Sequence, residues 1–260
     1  MISVIVPARD EIDSLPHLLR EIREGVPGPL EIIVADDGST DGSGRWLAAQ
    51  QGVRTVSLPR PRGKSAALLA AVDASRGDPI LLLDADLQNV PAEAPLLLDA
   101  LKGRGMACGV RRVRMATASK RLASRAWNSA RRRMLRDRFR DAGCGFVAMR
   151  REVALRLPRF RGMHRFLPVL AEALGYDVVE VLVTDRPRRY GKSQYGNARR
   201  AVQGLFDLVR VALYRRGAAI ERHQRQADHH VGPLVEARPQ AEALFEDEAV
   251  GGAGGRVAGE

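Results

Sequence analysis

The sequence predicts an α/β protein built on a mostly parallel sheet with helices on both faces. Short apolar runs alternate with helix-like segments over roughly the first 110 residues, and each run ends in a polar or glycine-containing turn. Of the 260 residues, 45% are hydrophobic, which is enough to bury a sizeable core. Such alternation is typical of sheets whose parallel strands are connected by helices.

The first part of the chain contains five of the expected strands. They lie at Ile2–Pro7, Leu30–Ala35, Arg54–Leu58, Ile80–Leu83 and Met106–Val110, with helices near residues 12–25, 43–51, 64–76 and 91–103. Three polar clusters, Ala8–Asp13, Asp36–Gly42 and Asp84–Asn89, directly follow strands. Because ligands bind parallel sheets at the carboxyl ends of the strands, these clusters are the first candidates for a site.

The pattern changes after Val110. A long basic helix is expected over Ser119–Arg138, then a glycine-rich strand around Gly143–Met149, a helix near His164–Gly175 and a strand at Val178–Val183. Residues 185–197 are expected to form a polar loop and Ala198–Arg216 an amphipathic helix. Residues 1–216 therefore predict a single domain, and residues 217–260, low in apolar periodicity, predict a disordered tail.

Composition and charge exclude several classes of protein. Two cysteines, Cys108 and Cys144, are too few for a disulfide framework, favour a reducing compartment and argue against a zinc site. No apolar run reaches the length of about 18 residues that a membrane-spanning helix needs, and the N-terminus lacks the basic start of a signal peptide. The formal net charge is +11, yet residues 1–103 carry −5 and residues 104–165 carry +16. An acidic region suited to a metal ion is thus followed by a basic region suited to an anion.

The strongest chemical signal is Leu82-Leu-Asp84-Ala-Asp86-Leu-Gln88. Two carboxylates spaced i, i+2 at the exit of a buried strand can converge on one divalent cation, which can hold a nucleotide diphosphate. An isolated pair of this kind is equally often a cap for the helix that follows. The cluster at Asp36 and Asp37 changes that balance, because it lies at the same sheet edge and its carboxylates can accept hydrogen bonds from a base or a ribose.

Taken together, these motifs resemble those of family 2 glycosyltransferases, and most closely polyprenyl-phosphate sugar transferases of the dolichyl-phosphate mannosyltransferase type. The resemblance covers about residues 1–200 and rests on Pro7–Glu11, Ala35–Asp41, Arg62-Gly-Lys-Ser-Ala-Ala67, Asp84-Ala-Asp86-Leu-Gln88, Gly143-Cys-Gly-Phe146 and Arg188-Arg-Tyr-Gly-Lys-Ser193, in that order. It implies a GT-A fold, a nucleotide-sugar donor, Mg2+ or Mn2+, inversion at the anomeric carbon and a polyprenyl phosphate acceptor. Residues 1–103 would form the donor and metal half, and residues 104–197 the acceptor half.

The resemblance also implies site residues. The donor set is Pro7, Glu11, Asp36, Asp37, Lys64 and Asp84, in which Glu11 and the Asp36/Asp37 pair face the nucleoside. Asp84, Asp86 and Gln88 surround the metal. The acceptor phosphate is held by Arg111, by Lys120 or Arg121 with Ser124, and by Arg188, because arginine binds phosphate through a rigid bidentate fork. Asp86 and Arg188 would take part in catalysis, and Asp141 is either a base for a sugar-hydroxyl acceptor or an ordinary loop aspartate.

Two departures from the family pattern accompany the likeness. The first motif has Ala-Arg-Asp-Glu where an aromatic residue and Asn usually precede the Glu, and Thr184-Asp185-Arg186 stands where a His-Arg pair is common. A saccharide acceptor is the alternative within enzymes. The +16 segment also fits a nucleic-acid-binding module, but 5% aromatic residues offer little for base stacking, so no nucleic acid partner is expected.

The helix expected at Ala198–Arg216 is basic and amphipathic. Such a helix either lies on an anionic membrane surface or packs on its own domain. A lipid-linked acceptor favours the membrane, so a peripheral location on the cytoplasmic face is expected, with a membrane-embedded protein as a further candidate partner.

Overall fold

Seven strands form one mixed sheet in the computed structural model, which describes residues 1–112, 128–190 and 204–218. The sheet order is β3-β2-β1-β4-β6-β5-β7, and neighbouring strands are parallel except where β6 lies antiparallel between β4 and β5. The predicted mostly parallel sheet is therefore confirmed. The strands are β1 (Ile2–Ala8), β2 (Leu30–Asp36), β3 (Val53–Ser57), β4 (Ile80–Leu82), β5 (Met106–Arg111), β6 (Val147–Met149) and β7 (Val178–Val183).

Helices cover both faces of this sheet. One core includes side chains of α3, α6, α7 and α8, and the other includes those of α1, α2 and α4. The described helices are α1 (Leu15–Gly25), α2 (Ser43–Ala48), α3 (Lys64–Ala74), α4 (Ala94–Leu101), α5 (residues 128–135), α6 (Arg151–Arg156), α7 (Leu167–Ala173) and α8 (residues 204–218), with short 3-10 turns at Pro91–Glu93 and Met163–Arg165.

Helix α1 illustrates how the sequence places an element on the sheet. Leu15, Leu18, Leu19 and Ile22 recur at helical spacing and are buried. A proline, Pro16, stands within the first turn, where its missing N–H group has no helical partner to lose. The apolar face therefore packs on the sheet.

Parallel register brings three strand ends to one edge. Ala8 at the end of β1 is level with Asp36 at the end of β2, and Ile5 of β1 is level with Leu82 at the end of β4. The loops that leave these strands therefore emerge side by side, which is the arrangement that the alternation predicts.

Several expected elements differ from those in the structure. The expected strand at Gly143–Met149 is confined to Val147–Met149, and α6 has no counterpart among the expected helices. The described part of the helix expected at Ser119–Arg138 ends at residue 135, and Arg136 adopts a left-handed backbone with φ 51°. Helix α8 continues to residue 218, two residues into the expected tail. The start of the helix expected at Ser119–Arg138, the start of the one expected at Ala198–Arg216 and the tail after residue 218 lie outside the described residues.

Helix α8 has apolar side chains on two sides. Leu208 and Val211 are buried in the domain, whereas Leu205, Phe206, Val209 and Leu213 are exposed, with Phe206 at 73%. The exposed apolar side chains therefore lie on a different side of the helix from Leu208 and Val211, which pack on the domain. Within the described ranges, none of the helices combines the length and apolarity that would carry it across a bilayer.

Candidate active site

The loops after β1 and β2 are joined by hydrogen bonds. The Thr40 N–H donates to Oδ1 of Asp10 over 2.7 Å, and the Asp10 N–H donates to Oγ of Ser39 over 2.9 Å. The Ile12 N–H donates to Oδ2 of Asp41 over 3.0 Å. Several acidic side chains of these loops thus serve to build one continuous rim at the sheet edge.

Asp84 and Asp86 follow β4 at the same edge of the sheet. We refer to these two carboxylates as the acid pair. The ammonium of Lys64 is ion-paired with Oδ1 of Asp84, and the Asp84 N–H donates to Oδ1 of Asn89 over 3.0 Å. Burial and, next, the negative charge of Asp84 raise the pKa of Asp86 above its ordinary value. The two carboxylates therefore lie close enough to repel each other.

A glycine makes room for Asp84. A Cβ atom on Gly145 would lie 2.2 Å from Oδ1 and 2.4 Å from Oδ2 of Asp84. Any side chain at position 145 would therefore displace that carboxylate. This contact gives a physical reason for the glycine in Gly143-Cys-Gly-Phe146, a motif that the sequence links to the site only by resemblance.

The acid pair offers an incomplete shell for a divalent cation. In the described ranges, no three or more His, Cys, Asp or Glu side chains are grouped as metal ligands. The Gln88 Nε2 donates to the main-chain oxygen of Arg186 over 3.3 Å, which leaves Oε1 as the side-chain atom able to bind a cation. Two repelling carboxylates and an amide oxygen suit Mg2+ or Mn2+, since a cation would relieve the repulsion and fill its remaining positions with other oxygens.

Arg188 connects the acid pair to the loop after β1. Its guanidinium is ion-paired with Glu11, and its Nη1 lies 3.8 Å from Oδ2 of Asp86. Burial raises the pKa of Glu11 above its ordinary value, although the charge of Arg188 opposes the rise. The ring of Tyr190 stacks on His17 of α1, with centroids 5.6 Å apart and planes 4° apart. Residues 184–190 therefore cross the edge of the sheet beside Asp86.

The sequence predicts no role for Arg186, which stands out there only as part of a departure from the family pattern. Its guanidinium donates to the main-chain oxygens of Leu87 over 3.0 Å and Asn89 over 2.6 Å, and it forms an ion pair with Glu21 of α1 over 2.6 Å. The Arg186 N–H also donates to the main-chain oxygen of Gln88 over 2.9 Å. Arg186 thus fixes the acid-pair loop to residues 184–190 and to α1.

Asp36 and Asp37 are buried at the end of β2. Asp37 accepts hydrogen bonds from the N–H groups of Arg62, over 2.7 Å, and Gly63, over 2.8 Å. Asp36 accepts one from the Ser39 N–H over 3.0 Å. Asp37 therefore positions the loop in front of α3, whose first residue is Lys64, and Asp36 holds the loop after β2. Pro7, the remaining member of the donor set, is buried in β1 level with Ala35.

Arg111 and Asp141 form a bidentate ion pair at the end of β5. Nε of Arg111 lies 2.6 Å from Oδ2 of Asp141, and Nη2 lies 2.8 Å from Oδ1. Asp141 therefore holds the guanidinium in one orientation. The other expected acceptor residues, Lys120, Arg121 and Ser124, lie outside the described residues.

Residues 3–157 match the protein family described as glycosyl transferase family 2. The match spans more than half of the chain, so this chain belongs to that family. The GT-A class of fold, expected from the motifs, is confirmed by this match and by the solved structure of a fold relative, a glucosyl-3-phosphoglycerate synthase from Mycobacterium tuberculosis in complex with Mn2+, UDP-glucose and phosphoglyceric acid. That structure has a TM-score of 0.63 and 25% sequence identity, covering 84% of this chain and 80% of its own.

Curated relatives carry a more specific name. An undecaprenyl-phosphate 4-deoxy-4-formamido-L-arabinose transferase from Pseudomonas fluorescens (strain SBW25) is 36% identical over 217 residues, which is 80% of this chain and 63% of the relative. The protein of that name from Pseudomonas aeruginosa (strain LESB58) is 36% identical over 218 residues, which is 80% of this chain and 64% of the relative. The chain thus matches less than two thirds of the length of these relatives.

Proposed function

We propose that this chain is an inverting glycosyltransferase that moves a sugar from a nucleotide-sugar donor to a polyprenyl phosphate. The observation that carries the proposal is that Arg188 lies beside the acid pair, with its Nη1 3.8 Å from Oδ2 of Asp86. Groups suited to a cation and a group suited to a phosphate thus share one sheet edge. The names of the curated relatives, which include undecaprenyl phosphate, support the acceptor class.

The donor binds on the side of β1 and β2 in this proposal. Glu11 and Asp36 accept hydrogen bonds from the nucleoside, beside Pro7, while Asp37 holds the Arg62–Gly63 backbone in place. When the donor binds, the ammonium of Lys64 leaves Asp84 and contacts the donor phosphates. It can do so because Lys64 lies at the start of α3, beside the acid pair. Asp84 then becomes available as a ligand.

Asp84, Asp86 and Oε1 of Gln88 would hold Mg2+ or Mn2+. When bound, the cation supplies positive charge that stabilises the leaving diphosphate. The carboxylates hold their position because Gly145 leaves room for Asp84 and because Arg186 fixes the loop that carries Asp86.

The acceptor phosphate binds to Arg188 and Arg111, together with Lys120 or Arg121 and Ser124. A phosphate monoester has a second pKa of about 6 and is already largely ionised near neutral pH, so it needs no strong general base. Asp141 is therefore a positioning residue that orients Arg111 through their bidentate ion pair, rather than a base. Catalysis depends mainly on the placement of charge where it develops in the transition state.

The enzyme works at the cytoplasmic face of the membrane as a peripheral protein. The exposed apolar side chains of α8, with Phe206 at 73%, can enter the lipid interface, while basic side chains of the same helix contact anionic headgroups. A membrane-embedded protein is the alternative recruiter.

A transfer assay tests the proposal. The chain is incubated with UDP- and GDP-sugars, Mn2+ and a short polyprenyl phosphate, and products are identified by mass spectrometry, with Asp86→Asn as the impaired control. We expect a sugar-phosphate-lipid product whose formation EDTA abolishes and Asp86→Asn slows about 100- to 1000-fold. Transfer only to a saccharide acceptor would support the alternative acceptor, and salt-sensitive duplex binding without any transfer would support a nucleic-acid-binding module.

A further inference from the structure

Four arginines line a pocket next to the candidate active site. Arg9 comes from the loop after β1, Arg60 and Arg62 from the loop after β3, and Arg161 from the segment after α6. Pro61 and Gly63 complete the lining of this pocket, whose volume is about 390 Å³. That volume lies within the range of small-molecule sites. We refer to it as the arginine pocket.

The positive charge of the arginine pocket is poorly compensated by the chain itself. Among the described residues, no carboxylate lies within ion-pair distance, 4.0 Å, of Arg60, Arg62 or Arg161. The positive charge of Arg161 acts to lower the pKa of Asp207, but Asp207 forms its ion pair with Arg165, over 3.2 Å. The nearby Arg159, in contrast, has its own partner in Asp73.

Arg9 contributes a donor that lacks a hydrogen bond. Its Nε is buried and has no hydrogen-bond partner in the described part of the chain, and its ion-pair contact with Oδ2 of Asp10 is long, at 3.5 Å. The other oxygen of Asp10 accepts the N–H of Thr40 over 2.7 Å. The chain therefore compensates the positive charge of Arg9 only in part.

The backbone that carries these arginines is fixed. The N–H groups of Arg62 and Gly63 donate to Asp37, and Gly38 approaches so closely that a Cβ there would lie 2.9 Å from the carbonyl carbon of Arg60. The Gly162 N–H, next to Arg161, donates to Oγ of Ser65 over 3.0 Å. The backbone positions from which these arginine side chains line the pocket are therefore built into the fold.

We propose that the arginine pocket binds a phosphate group. Several guanidinium forks match the oxygens of a tetrahedral dianion, which accepts charge-assisted hydrogen bonds from more than one side. The residues that line the pocket include none of Lys64, Asp84, Asp86 and Arg188. The site is therefore distinct from the acid pair, and phosphate binding to it can be measured without the proposed transfer reaction. Its phosphate comes either from the nucleotide donor or from a separate phosphate ester.

Titration calorimetry of the full chain with inorganic phosphate, at constant ionic strength, tests this site. We expect saturable binding that the double variant Arg60→Ala/Arg161→Ala weakens at least tenfold, since both side chains are exposed and their truncation leaves the fold intact. Arg45→Ala/Arg133→Ala removes the same charge from exposed positions outside the pocket and should alter the affinity less than twofold. Absence of saturable binding, or equal weakening in both double variants, would overturn the proposal.

The same titration identifies the source of the phosphate. If UDP and GDP compete with inorganic phosphate, and Arg60→Ala/Arg161→Ala weakens the binding of the competing nucleotide as well, the pocket takes a phosphate of the donor. If phosphate binds equally well in the presence of saturating UDP and GDP, it takes a separate ester. A variant with only Arg161→Lys keeps the charge but loses the fork, and a three- to tenfold loss in affinity would show that bidentate geometry contributes.

Discussion

Replacement of Arg186 by alanine is expected to release the loop that carries the acid pair. The guanidinium holds the oxygens of Leu87 and Asn89, and Leu87 has a left-handed backbone with φ 62°. A residue other than glycine in this conformation costs on the order of 1–2 kcal/mol, so the loop depends on contacts that maintain it. Without Arg186, Leu87 should relax and displace the adjacent Asp86.

The magnitude follows from the contacts that are lost. Two main-chain oxygens lose a charged donor, and a hydrogen bond to a charged group contributes about 1.5–3 kcal/mol in favourable cases. The ion pair with Glu21 adds about 1 kcal/mol or less, because both side chains retain about a quarter of their exposure, at 25% and 26%. Because relaxation of Leu87 returns about 1–2 kcal/mol of backbone strain, we expect Arg186→Ala to lower the free energy of unfolding by about 2–6 kcal/mol and Glu21→Ala by about 1 kcal/mol.

Urea unfolding of both single variants and the double variant measures these values. Because the alanine at 186 already removes the ion pair, the double variant should be about as stable as Arg186→Ala. Nucleotide-sugar binding should fall in Arg186→Ala and change little in Glu21→Ala. If Glu21→Ala costs as much as Arg186→Ala, the main-chain contacts contribute nothing, and the role assigned to Arg186 in holding the acid-pair loop is wrong.

Four further changes test the site and its surroundings. Burial and the charge of Asp84 raise the pKa of Asp86 above 3.8, so the folded chain binds this proton more tightly than the unfolded chain, and the contribution of Asp86 to stability is lost as the pH rises through the folded value. Asp86→Asn should therefore be more stable than the natural chain at pH 7 in chemical unfolding, with the difference shrinking in acid, while its transfer rate falls about 100- to 1000-fold. Gly145→Ala should place its Cβ against the Asp84 carboxylate and reduce transfer on the order of 100-fold, and a folded variant with unchanged Mn2+ affinity would contradict this. Arg188→Ala should impair the use of polyprenyl phosphate far more than nucleotide-sugar binding, so equal losses in calorimetry and in the transfer assay would contradict its place on the acceptor side. Leu205→Glu with Phe206→Glu should abolish sedimentation with anionic liposomes at low salt, whereas unchanged binding would point to another recruiter.

The sequence by itself determined the parts of this protein that depend on local pattern. The strand expected at Val178–Val183 matches β7 residue for residue, and β1 to β5 lie within a residue of their expected bounds. Burial on both faces of a strand, as in β1 and β4, requires a nearly continuous apolar run, which is visible without knowledge of the neighbours. The positions of the acidic clusters could also be predicted. Each cluster directly follows an apolar strand, and a parallel sheet brings consecutive strand ends to one edge.

Only the tertiary structure decided how distant segments share their polar groups. Arg186 forms an ion pair with Glu21, and Arg188 forms one with Glu11. The partners are more than 160 residues apart in the sequence, and no periodicity relates residues at that separation. The chain also inserts β6 antiparallel between β4 and β5, and Gly145, shortly before β6, comes against Asp84. A motif shows which side chains are charged, but whether a carboxylate holds a backbone, as Asp37 does, or stays available to a ligand depends on which donors the folded chain brings within hydrogen-bond distance.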